Sequence, residues 1–142
     1  MLRTRLCELL KIDVPVLGTP MGPEITGLEL ADAVSNAGGL GIISFGGYPP
    51  TALRERIKKL RTLTSRPFGV NVLLDGPHMP LPSAAFAEAC IEERVPILSF
   101  FWGDPTPYVD KAHRVGVKVC DQVGSVTAAK RARDAGVDFI VA

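Results

Sequence analysis

Apolar residues along this 142-residue chain fall into two alternating patterns. The first is a set of short, nearly continuous runs: Val14-Pro15-Val16-Leu17, Leu40 to Phe45, Phe68 to Leu74, Val95 to Gly103, Val117 to Val123 and Val137 to Ala142. Their length and β-branched content predict strands covered on both faces. The second pattern recurs at helical spacing, as in Leu30, Ala33, Val34 and Ala37, or Leu53, Ile57 and Leu60. Three more helices are predicted from about Ser83 to Arg94, from Thr106 to Arg114 and from Ser125 to Ala135. A short amphipathic start, Leu2 to Leu10, precedes the first run.

Local signals punctuate these elements. Thr26-Gly27-Leu28-Glu29 has the form of a capping box, and Gly38-Gly39 closes the helix it would open. Thr51, Thr106 (with Pro107 at the first helical position) and Ser125 are expected N-caps, and Gly136 is an expected C-terminal stop. Strands joined by helices imply a parallel α/β sheet wound in one direction. An open doubly wound sheet and a (β/α)8 barrel of the TIM type both fit. No Gly-x-Gly-x-x-Gly follows the first run, so the barrel is favoured. Such a barrel needs eight strands. The expectation is one incomplete barrel domain over residues 1–142, truncated to about six strands and five helices.

Composition narrows the function. A net charge of +1 gives no reason to expect nucleic acid, and Lys58, Lys59 and Arg61 read as the solvated face of a helix. No apolar run reaches the roughly 20 residues of a membrane span, and charges interrupt the N-terminal segment, so a cytoplasmic address with no membrane partner is expected. Cys7, Cys90 and Cys120 are too far apart for a zinc site or a disulfide framework. They read as buried small hydrophobes, with a reactive thiol at Cys120 as the lesser reading.

Candidate chemistry gathers where the runs end. The first stops at Gly18-Thr19-Pro20-Met21-Gly22, whose small residues let a flat ligand approach the backbone at the end of a strand that parallel folds use for ligands. Asn71 and Gln122 place amides at later strand ends, and Ser44 and Gly46 stand at another. Phe100, Phe101 and Trp102 are either the wall of a pocket or plain packing. The proline-rich loop Gly76 to Pro82 carries His78 and is a candidate lid, whereas His113 falls on a helix surface.

Five segments together resemble the nitronate monooxygenases, formerly called 2-nitropropane dioxygenases. They are Val14 to Gly22, Asn36 to Gly41, Gly69-Val70-Asn71, Ser99-Phe100 with Gly103 and Pro105, and Gln122 to Ser125 followed by Ala135 to Asp138. The resemblance implies a barrel with FMN across its C-terminal mouth, approached by the backbone of Pro20, Met21 and Gly22 and by the amides of Asn71 and Gln122. It implies a small nitronate or nitroalkane as substrate. The family's catalytic histidine and its phosphate-binding units would lie beyond Ala142, so this chain is expected to correspond to an N-terminal portion, with no catalytic residue assigned within it. Two alternatives stand beside this reading. One is kinship with the flavin-dependent enoyl-ACP reductases. The other is a non-catalytic module that forms a homo-oligomer through its open sheet edges.

Overall fold

The computed structural model describes residues 2–22, 25–45, 49–74 and 83–142. Helices α1 (Arg5–Leu10) and α2 (Leu28–Asn36) lead into β1 (Gly41–Phe45), α3 (Pro50–Leu63), β2 (Phe68–Leu73) and α4 (Ser83–Glu92). The alternation continues through β3 (Ile97–Phe101), α5 (Thr106–Arg114), β4 (Lys118–Gln122), α6 (Val126–Ala135) and β5 (Phe139–Val141). All four strand pairings are parallel, and the order in space is the order in sequence. This is an arc of a (β/α)8 barrel, with helices on its outer face.

The opening run departs from expectation. Among the described residues there are five strands and six helices, and Val14 to Leu17 contributes only a parallel bridge between Leu17 and Leu40. Pro15 explains the loss. It has no N–H to give a ladder, and the Val16 N–H turns back across it to the Val14 carbonyl at 2.8 Å. Two hydrogen bonds still tie the segment to the sheet, Gly18 N–H to the Leu40 carbonyl and Leu40 N–H to that of Val16.

Strand alternation divides the core in two. On the outer face Ile43, Val70, Val72, Leu98, Phe100 and Val119 pack against helix residues such as Leu53, Ile57, Phe86, Cys90 and Val109. On the inner face Leu40, Ile42 and Ile97 meet Cys7, Leu10 and Ile12. Helix α1 with Ile12 therefore plugs the lower end of the arc, where the strands begin. Each of these fully buried aliphatic or aromatic side chains contributes about 1.5–3 kcal/mol. Gly41 sets how closely α2 approaches β1, because a Cβ there would run into the Ala31 carbonyl.

The helix ends test the local signals one by one. Ser125 caps α6 as expected, accepting from the Ala128 N–H at 3.1 Å, and Gly136 ends it with φ of 88°. Thr26 does not cap α2; Gly27 stands at that position. Helix α3 begins at Pro50 after Pro49, so Thr51 lies inside its first turn. Thr106 is itself helical, and the Asp104 carboxylate accepts from both its N–H and its hydroxyl. In each case a competing partner or a proline took the role that the threonine was expected to fill.

Candidate functional site

Neighbouring strands bring one polar row onto the inner face. Register places Ser44 beside Asn71, Asn71 beside Ser99 and Ser99 beside Cys120. All four are buried, and Asn71 is only 3% exposed. Its side-chain oxygen has no hydrogen-bond partner among the described residues. A buried amide oxygen without a donor costs free energy, so Asn71 can accept a hydrogen bond from a ligand or a water molecule. Cys120 offers no nucleophile, since burial raises its thiol to about 12, against the opposing hydrogen bond with Ser99. Cys7 and Cys90 are likewise buried and free.

Thr26 joins the opening loop to this row. Its hydroxyl accepts from the Met21 N–H at 3.1 Å and donates to the Gly22 carbonyl at 2.9 Å, while its own carbonyl receives the Ser44 N–H at 3.4 Å. The side chain is buried, spent on holding Met21 and Gly22 against the end of β1 rather than on starting a helix. Gly22 has φ of 96°, a conformation that glycine adopts without strain, and the Met21 side chain is half exposed. Thr26 thus links Met21 and Gly22, which follow Pro20 in the loop, to Ser44, the register partner of Asn71. Gln122 shares the inner face but stands two strands from Asn71 and further along, in the row of Leu73 and Phe101. Gly46, His78 and the proline-rich loop lie outside the described residues.

A cleft of about 370 Å³ opens at the ends of β3 and β4, where Phe101, Trp102, Asp121, Gln122, Gly124 and Arg131 line it. Asp121 points to the helix-covered side, in register with Phe100, and is 6% exposed. Burial pushes its carboxyl up to about 6; Arg131 opposes this, Asp104 reinforces it, and the Gln122 N–H opposes it weakly. Neither Asp121 nor Arg131 makes an ion pair within 4 Å among the described residues. Trp102 has φ of 60°, sparsely populated for a bulky residue, and is held half exposed while its ring stacks on Phe101 at 4.6 Å.

Sequence reasoning missed Thr26, Asp121 and Arg131 as site residues. The signal for Asp121 was present: a carboxylate inside the apolar run Val119-Cys120-Asp121. Phe100 belongs to the packing, not the cleft; it is fully buried, with Tyr108 at 5.5 Å between ring centres. His113 sits on the surface as expected, its Nε2 2.9 Å from Asp138. No helix among the described residues is long and apolar enough to cross a membrane.

A partial (β/α)8 barrel, with polar side chains and an open cleft at its strand ends, defines a class of enzyme scaffold whose ligands bind there. Within that class the chain belongs to the nitronate monooxygenase family, whose model matches residues 3–142. It is 34% identical over 140 residues, 99% of this chain and 38% of the relative, to a (3aS,4S,5R,7aS)-5-hydroxy-7a-methyl-1-oxo-octahydro-1H-indene-4-carboxyl-CoA dehydrogenase of Rhodococcus jostii. A nitronate monooxygenase of Paraburkholderia phytofirmans is 28% identical over 172 residues, covering 96% of this chain and 47% of its own. FabK from Thermotoga maritima is 40% identical with a TM-score of 0.91, over 100% of this chain and 44% of its own. The chain thus spans less than half the length of each of these relatives.

Proposed function

We propose that this chain forms part of a flavin-dependent oxidoreductase, that the flavin is FMN, and that the substrate is an alkyl nitronate or nitroalkane. The observation that carries the flavin reading is the bare oxygen of buried Asn71, beside an opening loop stitched to the same row by Thr26. The polar edge of an isoalloxazine carries both an N–H donor and carbonyl acceptors, so the donor that Asn71 lacks is one the ring supplies. When bound, FMN would provide the electron transfer. The chain's own residues bind and orient: the backbone of Pro20, Met21 and Gly22 gives close approach, Asn71 fixes the polar edge, and Gln122 offers a second amide from β4.

Neither His113 nor Cys120 is placed to act as a general base on a substrate at the upper end of the sheet. His113 is engaged by Asp138 at the opposite end of the sheet, and the thiol of Cys120 stays protonated. Proton abstraction from a nitroalkane carbon is therefore assigned to no residue here. The test is FMN binding, followed by flavin fluorescence. Asn71→Leu should weaken it about tenfold, since it removes the hydrogen bond while keeping the volume. Equal affinity in the variant, or no binding by the wild-type chain, would overturn the Asn71 assignment. Oxygen uptake with a nitronate then tests the substrate.

A second reading has its own support. Over nearly the whole chain, identity to the carboxyl-CoA dehydrogenase and to FabK exceeds that to the Paraburkholderia nitronate monooxygenase, which supports a thioester substrate, as in an enoyl-ACP reductase, as the second reading. NADH oxidation driven by an enoyl thioester, without oxygen uptake on a nitronate, would decide for it. A colourless and stable oligomer would instead favour the self-associating module.

A further inference from the structure

The flavin reading leaves Asp121, Trp102 and Arg131 unused, and these three share one cleft. Their chemistry is complementary to a single kind of ligand. Asp121 is a buried carboxylate, an acceptor with no side-chain ion pair among the described residues, so it suits an N–H or O–H donor. Trp102 is an aromatic platform kept half exposed by a backbone conformation unfavourable to it, so the strain is spent on presentation rather than burial. Arg131, exposed on α6 and free of ion pairs among the described residues, suits an anion. Gly103, Gly124 and Ala128 keep the space between them clear, and a volume of about 370 Å³ is within the usual range of ligand pockets.

The geometry points to a subsite for the adenosine 5′-diphosphate end of a nucleotide cofactor or substrate. The adenine ring stacks on Trp102, its exocyclic amino group donates to Asp121, and the phosphates meet Arg131. Coenzyme A and a nicotinamide dinucleotide both carry this moiety, and either would place its reactive end away from the cleft. The subsite stands independently of the flavin reading, because nucleotide binding is measured without turnover and without FMN.

Trp102 is the only tryptophan of the chain, so its fluorescence reports the stacking directly. The protein is titrated with ADP and with IDP, in which a carbonyl oxygen replaces the amino group. Quenching by ADP at about tenfold lower concentration than by IDP is the expected result, because the carbonyl faces a carboxylate. Asp121→Asn supplies a donor and should narrow or invert that ratio, a change that a merely structural Asp121 would not produce. Arg131→Ala should weaken ADP several-fold and leave adenosine unchanged, and this variant keeps the test valid should the first fail to fold. Tighter binding of coenzyme A than of NAD+ assigns the subsite to a thioester substrate, and the reverse to a nicotinamide cofactor; both support it. No quenching by ADP, equal affinity for ADP and IDP, or a ratio unmoved by Asp121→Asn would overturn it.

Discussion

Asp138 enters β5 at the lower end of the sheet and Asp121 lies near the end of β4 at the upper, and the two carboxyl groups have opposite surroundings. Burial pushes Asp138 up, but the Val119 N–H at 2.8 Å, the His113 ring at 2.9 Å and Lys118 at 3.6 Å outweigh it and hold the carboxyl below its ordinary value. Asp121 is more deeply buried and has no such set of partners. The same contrast runs through the rest of each end. Below, α1 plugs the arc and Gly41 lets α2 close on β1. Above, the Asn71 oxygen has no partner among the described residues and Trp102 stands half exposed in a strained conformation. Side chains below are spent on stability; those above are held at a cost that a bound ligand would offset.

Substitutions should separate the two ends, and the largest effect belongs to the lower. Gly41→Ala drives a methyl group into the Ala31 carbonyl and forces α2 off the sheet, so chemical denaturation should show a loss of about 3 kcal/mol or more. Next comes Asp138→Ala, which strands the Val119 N–H and removes the acceptor of His113. It should cost about 2 kcal/mol at neutral pH. Because the folded state lowers this carboxyl's pKa, the wild-type advantage should be complete above the ordinary carboxylate range and fade as acid titrates the folded protein. Neither change should alter ADP quenching at equal folded fraction.

The smallest effect has the opposite sign. The folded state raises the Asp121 pKa to about 6, so wild-type stability falls as pH rises from the ordinary carboxylate value to that point. Asp121→Asn removes the charge and should raise Tm by about 3 °C at pH 7.5, with the gain shrinking as pH drops below about 6. A loss of stability at pH 7.5 would mean that Asp121 is satisfied in the free protein, and the contrast between the two ends would fail.

Most of the fold was legible because its pattern is local. Continuous β-branched runs and helical spacing located β1 to β5 and α2 to α6, and Ser125 and Gly136 marked the ends of α6 as their chemistry requires. Errors arose where a tertiary partner or a proline overrode the local pattern. Thr26 carries a capping-box pattern, yet Met21, Gly22 and Ser44, supplied by the fold, claim its polar groups. Val14 to Leu17 reads as a strand by composition, but Pro15 breaks its ladder. Asn71 and Gln122 were visible as amides at strand ends. That Asn71 lacks a partner, or that Asp121 and Arg131 share a cleft, depends on register and helix packing and on nothing in their spacing.

Each strand of this sheet pairs with the one next in sequence, and that order bears on how the molecule forms. Successive strands are separated by one helix, so no pairing waits for a part of the chain beyond the next strand. As the polypeptide leaves the ribosome, every new strand finds its template already in place and covers the edge that preceded it. The arc can therefore grow by stepwise addition during synthesis, with the exposed edge moving along the chain as each strand and helix emerges.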